Sequence, residues 1–473
     1  MDKQDLLDLL ALLDNSVALE DGKVAVKDAA RLRATIHRLA EVSALESGAR
    51  QGLARYLVRL IGAQIGVFPA SINELYLARG RGEVPTDFTV PAMNLRALAF
   101  DSARAVFRAA LAIDAASIIF EIARSEMGYT DQRPAEYVTS VLAAAIAEGF
   151  SSPVFIQGDH FQVSAKRFAS DKETELQAVK DLIVEALAAG FFNIDIDTST
   201  LVDLSKTSLA EQQELNTSLS AMYTAFIRQH EPQGVTVSVG GEIGEVGGQN
   251  SNEGELRAYM DGYNTALARE APGAVGISKI SIQTGTSHGG VVLPDGSIAE
   301  VSVDFATLFN LSEIASKEYH LGGAVQHGAS TLPEQAFGKF VEAHAVEVHL
   351  ATNFQTMLFD RLPDDLCAEI YAFLDQKFAS ERKPGMTDEQ FYYKTRKNAV
   401  GPFKKQTWNL PSAKKEEIGS AWEQQFSKLF HLLGQAGTRK YVEQTVRAAP
   451  VKPDLQFYLG REVAAGDVSD LAD

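Results

Sequence analysis

The chain has 473 residues, 45% hydrophobic and 22% charged, the composition of a folded globular protein rather than a disordered one. Its 44 Lys+Arg against 62 Asp+Glu leave a net charge of −18, which argues against nucleic acid or an anionic membrane as main partner, since both are polyanions. The single cysteine, Cys367, excludes an internal disulfide and a thiolate cage, so any metal must be held by His and carboxylates.

Met1-Asp2-Lys3-Gln4-Asp5, with Asp8 close behind, has neither the basic start nor the apolar run of a secretory signal. No stretch of about 18 apolar residues predicts a membrane span. A soluble, cytoplasmic chain is expected. Residues 1–85 read as a helical extension. Leu6 to Leu13 form a broad apolar face, and Ala29–Val42 and Gly52–Ile65 carry the 3.6-residue spacing of amphipathic helices. Arg79-Gly80-Arg81-Gly82-Glu83-Val84-Pro85 reads as a linker.

From residue 86 to 360 short β-branched runs alternate with Ala/Leu-rich helical segments. The predicted strands are Thr89–Met93, Ser117–Ile122, Val154–Gln157, Phe191–Ile196, Val235–Val239, Ile277–Ile282, Gly323–Val325 and Val346–Leu350. Their spacing is close to the ~30 residues that one strand, one helix and their loops need. Eight such units predict an α/β fold of the (β/α)8, or TIM, barrel type. A doubly wound open sheet competes, but no GxGxxG follows the first strand. Residues 361–473 read as a helical C-terminal extension. Within it Lys377–Lys415 is locally basic, with ten Lys/Arg against three Asp/Glu.

The polar residues cluster just after the strands, where a barrel gathers its catalytic groups. The third strand leads into Gly158-Asp159-His160, and the fourth ends in Asp195-Ile196-Asp197-Thr198-Ser199. The fifth leads into Gly240-Gly241-Glu242-Ile243-Gly244, the sixth into Gly285-Thr286-Ser287-His288-Gly289, and the seventh into Gln326-His327-Gly328-Ala329-Ser330. The eighth runs through His349 to Thr352-Asn353.

Three imidazoles converging from three strands, His160, His288 and His327, can hold a divalent metal, zinc by preference. Unrelated structural roles for the three are the competing reading. Asp159 stands beside a ligand position and can move a proton. Asp197 can orient a ligand histidine, and Glu242 can ligate the metal or hydrogen-bond one of its ligands. The glycine-bordered late loops, with the Ser330 hydroxyl, suit phosphate oxygens. Arg396, Lys404 and Lys405 could meet a second anion, although a solvated helix face would look the same.

The ordered set Asp-His, Asp-x-Ser, Gly-Glu-Ile-Gly, Gly-Thr-x-His-Gly and His-Gly-x-Ser resembles the class II, metal-dependent fructose-bisphosphate and tagatose-bisphosphate aldolases. Val90-Pro91-Ala92-Met93-Asn94 resembles that family's first strand. The resemblance spans roughly residues 88 to 356 and implies a zinc enzyme that cleaves ketose 1,6-bisphosphates to dihydroxyacetone phosphate and an aldehyde. It implies His160, His288 and His327 as zinc ligands, Glu242 near the metal, and Asp159 as the acid on the hydroxyl at the cleaved bond. Asn94, Asp197, Ser199, Gly289, Gly328, Ala329 and Ser330 fall in the substrate and phosphate loops, which often also hold a monovalent cation such as Na+ or K+.

There are departures. Where the family carries Asn-x-Asp-Thr on the last strand, this chain has His349-Leu350-Ala351-Thr352, keeping only the threonine, with Asn353 after it. The mobile-loop acids are replaced by Gln249-Asn250-Ser251-Asn252-Glu253, which leaves Glu253 as a shifted catalytic candidate. Ala123 stands where a serine is expected. The region around Gly128-Tyr129-Thr130 resembles the non-catalytic tagatose-bisphosphate aldolase subunit, so a structural subunit is one alternative. A metal-dependent barrel acting on another sugar phosphate is the other. A small phosphorylated sugar and further copies of the chain, as a dimer or tetramer, are the expected partners.

Overall fold

A computed structural model describes residues 3–20, 23–244, 249–285, 293, 302–460 and 471. Eight parallel strands close into a barrel: β1 (Val90–Asn94), β2 (Ile119–Ala123), β3 (Val154–Gln162), β4 (Asn193–Asp197), β5 (Ser238–Glu242), β6 (Lys279–Ile282), β7 (Ala324–Gln326) and β8 (Glu347–Leu350). Each pairs with the next, and β8 returns to β1 with Glu347 opposite Val90. The expected barrel is therefore present. All eight strands lie within a few residues of the predicted runs. Several begin later and continue into polar residues, β5 through Gly240-Gly241-Glu242 for example. The upper interior of this barrel is polar, so an apolar run marks only the lower part of each strand.

The closing pair β3–β4 has a flaw that matters. Gly158 faces Ile194 and Phe161 faces Ile196, so three steps along β3 match two along β4. The extra residue makes a β-bulge, and His160 takes a left-handed backbone with φ of 40°. In a regular strand consecutive side chains point to opposite faces. The bulge breaks that alternation at Asp159 and His160, and both side chains reach the polar interior. Gly158 makes it possible, because a Cβ there would lie 2.3 Å from the Phe161 ring.

The N-terminal segment contains the expected helices, among them Ala49–Gln64 and Asn73–Gly80. It also holds a hairpin of Val17–Glu20 with Lys23–Val26, in a region read as wholly helical. The 79–85 segment begins inside a helix. Arg79 is buried and donates to the carbonyls of His344 at 3.1 Å and Ala345 at 3.2 Å, which ties it to the barrel. Helix Ala49–Gln64 also meets the C-terminal helix Leu455–Leu459, where Arg59 donates to the Tyr458 hydroxyl at 3.1 Å. The C-terminal segment is helical as expected. Its helix Ser412–Leu432 packs on Ala99–Ala112, and Asp388–Thr395 with the 3-10 turn Arg396–Ala399 crosses the barrel mouth. Among the described residues no helix is long and apolar enough to cross a membrane.

Candidate active site

At the C-terminal rim lies a cavity of about 500 Å³. Its floor holds Glu121, Asp159, His327 and His349; Asn94, Gly328, Ser330 and Thr352 stand at the sides. Met386, Gln390, Tyr393, Lys394 and Lys397 of the C-terminal segment form the roof, with Arg96 beside them.

His160 lies outside the wall of this cavity. Its Nε2 is 3.1 Å from His327 Nδ1, and its Nδ1 is 3.1 Å from Asp197 Oδ2 and 3.3 Å from Glu242 Oε2. Ser199 secures Asp197 by donating from its hydroxyl at 2.6 Å. Gln283 donates to Glu242 at 3.3 Å. Two imidazoles and a carboxylate, all buried, converge here as His160, Glu242 and His327. Nitrogen and oxygen donors in this number suit a divalent ion of the zinc type.

Without a cation the interior must hold protons instead. Burial works against a charged His160, but Asp159, Glu242 and Asp197 outweigh it and raise its pKa well above the usual imidazole range. Burial, with Asp197 nearby, pushes Glu242 up to about 7. Burial likewise pushes Glu121 up to about 8. Asp197 goes the other way: burial opposes its charge, yet His160, Ser199 and Gln162 hold it below the usual carboxylate range.

A second polar layer lies below. Lys279, at the start of β6, donates to Gln157 at 2.8 Å and Asp195 at 2.9 Å, and also pairs with Glu347. Burial alone would lower its pKa, but Asp195 and Glu347 reverse this and raise it. Lys279 is thus a locked ammonium ion that does not line the cavity, which excludes it as an imine-forming nucleophile. Gly240 makes room for the pair, because a Cβ there would fall 2.2 Å from Asp195 Oδ1. Glu347 also accepts from Tyr76 of the N-terminal segment and lies 2.6 Å from His349 Nε2.

The structure thus places Asp159, His327, Asn94, Gly328, Ser330 and Thr352 on one cavity, with His160, Glu242, Asp197 and Ser199 bonded behind it. Ala329 is buried but does not line the cavity. His288 and Gly289 lie outside the described residues. Three expectations need correction. Glu253 is the exposed first residue of helix Glu253–Glu270, where it pairs with Arg257 at 3.1 Å. The helix N-terminus holds it away from the cavity. Arg396 does not reach the cavity: it donates to Thr356 Oγ1 at 2.6 Å and lies over the Tyr393 ring at 4.4 Å, bracing the roof from behind. Asn353 lines a separate cavity of about 70 Å³ behind Ser330. Of the other basic residues, Lys404 is tied to Glu136 at 2.7 Å.

Sequence reasoning missed Glu121, Arg96, Lys394 and Lys397. Glu121 left a signal, since an acid inside Ile119-Phe120-Glu121-Ile122 must face a polar interior. The lysines left none, because only the chain path over the mouth separates Lys397 from Lys405.

A family model described as fructose-bisphosphate aldolase class-II matches residues 85–420. Among solved structures, the fold is similar to the fructuronate-tagaturonate epimerase UxaE of Cohnella laeviribosi, at 14% identity, covering 89% of this chain and 90% of that one, with a TM-score of 0.52. A fructose-bisphosphate aldolase of Campylobacter jejuni matches at 16% identity over 79% of this chain and 96% of that one, TM-score 0.47. A putative fructose-1,6-biphosphate aldolase of Coccidioides immitis matches at 17% over 77% and 96%, TM-score 0.44.

Proposed function

The chain belongs to the class II fructose-bisphosphate aldolase family, and on that premise we propose that it catalyses reversible, zinc-dependent aldol cleavage of a ketose 1,6-bisphosphate. Fructose 1,6-bisphosphate is the substrate of choice, giving dihydroxyacetone phosphate and glyceraldehyde 3-phosphate. The observation that carries this reading is the cavity itself, where Asp159 and His327 share a floor with Ser330 and Gly328 beside them and cations above.

His160, His327 and Glu242 would hold the ion, with His288 as the further candidate. When bound, a divalent ion supplies Lewis-acid polarisation of a carbonyl oxygen. Asp159 takes the proton from the hydroxyl next to the breaking carbon–carbon bond and returns it in synthesis. The Ser330 Oγ accepts from the Ala351 amide at 2.7 Å, which aims its own O–H outward to donate to a phosphate oxygen. Asn94 gives an amide proton to Glu126, and its Oδ1, without a hydrogen bond in the structure, accepts from a sugar hydroxyl. Arg96, Lys394 and Lys397 draw the distal phosphate toward the roof, and the roof excludes water from the reacting carbons.

The test is a coupled cleavage assay over a panel of ketose mono- and bisphosphates. Cleavage of a bisphosphate, lost on chelation and restored by Zn2+, is expected. Failure of every member of the panel would sink the reading.

A second reading is favoured by the C-terminal segment over the cavity, which would keep two fragments together. Cleavage followed by re-addition on the opposite face would epimerise an anionic ketose with no net cleavage. NMR of a ketouronate incubated with the chain separates the two: a new diastereomer without free aldehyde supports epimerisation.

A further inference from the structure

The two sets of donors around His327 do not face the same space. His160 and Glu242 lie outside the cavity wall, whereas Asp159, His327 and His349 all line the cavity. These three also form a buried group whose ligand atoms fall within 4.8 Å of one another. His349 sits on β8, in place of the asparagine that begins the Asn-x-Asp-Thr pattern.

The setting of His349 is that of a ligand in waiting. Its Nε2 lies 2.6 Å from Glu347, whose carboxylate is held in turn by Lys279, Gln157 at 2.9 Å and Tyr76. A carboxylate on one ring nitrogen fixes the tautomer and aims the other nitrogen at its target, the arrangement that metal-bound histidines show. The aimed atom, Nδ1, is buried and 3.1 Å from Glu121 Oε2 and 3.2 Å from Asp159 Oδ1. It meets neither at hydrogen-bond geometry, and Glu121 Oε1 beside it is equally unpaired. Donors bound to one ion at ~2.0–2.2 Å stand ~3–3.5 Å from each other, and the Nδ1–Asp159 separation is in that range. The rings of His327 and His349 lie 4.0 Å apart, centre to centre, so His327 can serve either side.

We propose that Asp159, His327 and His349 form a divalent-cation site on the cavity floor, and that His349 is a metal ligand of this chain. The ion seated there meets the substrate directly, while His160 and Glu242 form a seat behind the cavity wall. The site goes beyond the cleavage reading: an ion there takes one oxygen of Asp159 and leaves the other to accept the substrate's proton.

The experiment uses the full chain, stripped with chelator and reloaded with Co2+. Anomalous diffraction at the cobalt edge is expected to place an ion about 2.1 Å from His349 Nδ1. His349→Asn is expected to weaken Co2+ binding by ~100-fold or more, beyond the 10–100-fold typical of losing an outer partner, and to change the visible absorption of the bound cobalt. An anomalous peak confined to His160, Glu242 and His327 overturns the proposal, as does wild-type affinity and spectrum in the variant. Diffraction from the wild type decides the matter even where the variant fails to fold. A chain that holds cobalt at His349 yet cleaves no ketose bisphosphate keeps this site and loses the aldolase reading.

Discussion

Lys397 offers a test in which stability and binding move in opposite directions. Burial, and then the neighbouring Arg96, pull its pKa from 10.5 down to about 8. Its charge also lies over the Tyr129 ring at 5.4 Å, and it borders the cavity. That drop from 10.5 to about 8 corresponds to about 3 kcal/mol, an upper bound because the side chain keeps partial contact with water.

Between pH 8 and 10.5 the unfolded chain holds a proton on Lys397 that the folded chain has lost, so stability rises with pH across that window. At pH 7 the full cost of the buried charge is present. Lys397→Met should therefore raise stability by ~1–3 kcal/mol at pH 7, and the gain should vanish above pH 10. An anionic substrate offsets the same cost, so the variant should lose affinity. In the wild type KM should climb up to ~10-fold per pH unit above 8 as the ammonium deprotonates. In Lys397→Met it should be high and flat, and Lys397→Arg should delay the climb beyond pH 10. Denaturant melts at pH 7 and steady-state kinetics from pH 6.5 to 9.5 read both effects. A destabilised Lys397→Met with wild-type KM would refute the reasoning.

Asp159→Asn should keep the fold and lose cleavage by ~10²–10⁴-fold, read as kcat. Lys279→Met should cost ~3–5 kcal/mol in a denaturant melt, since Asp195 and Glu347 are left buried without their cation. Borohydride added during turnover should trap no substrate on the chain, and a borohydride-stable adduct on Lys279 would contradict the locked ammonium. Loading the stripped protein with Zn2+ at pH 7 should release protons, because Glu242 and Glu121 hold them near and above neutrality, at about 7 and about 8. Calorimetry in buffers of different ionisation enthalpy counts them, and affinity should rise with pH.

The barrel was legible because each strand announces itself in β-branched residues and each catalytic loop follows a strand. Asp159, His327, Gly328 and Ser330 could be placed from that rule alone. The bulge could not, since the sequence Gly158-Asp159-His160-Phe161 reads equally as a strand continuing or ending. Only the pairing with Ile194 and Ile196 shows the extra residue. The roof was hidden for a different reason. Basic residues of Lys377–Lys415 look alike in sequence, and tertiary packing alone turns Lys394 and Lys397 to the cavity, Arg396 against Tyr393 and Lys404 onto Glu136. Glu253 was misplaced because its neighbours, Asn252 and Glu255, form a capping box that commits it to a helix start.

The barrel interior shows why the layers differ in function. Lys279 compensates the lower layer, where Asp195 and Glu347 meet it directly, and Glu347 is held down to about 2: burial opposes its charge, but Lys279 and then His349 outweigh it. That layer contains its own cation and is a rigid base, closed beneath by Tyr76. The upper layer has no such amine. Asp159, Asp197, Glu121 and Glu242 meet His160, His327 and His349 and neutral donors such as Ser199, Gln157 and Gln283, with the Arg96 cation acting on Asp159 from the cavity wall, so the rest of its charge balances with protons or with an ion. The protein therefore keeps a fixed cation under the site and leaves exchangeable positive charge where the cavity opens. A substitution that moved a lysine into the upper layer would satisfy the carboxylates at once and leave nothing for a metal to bind.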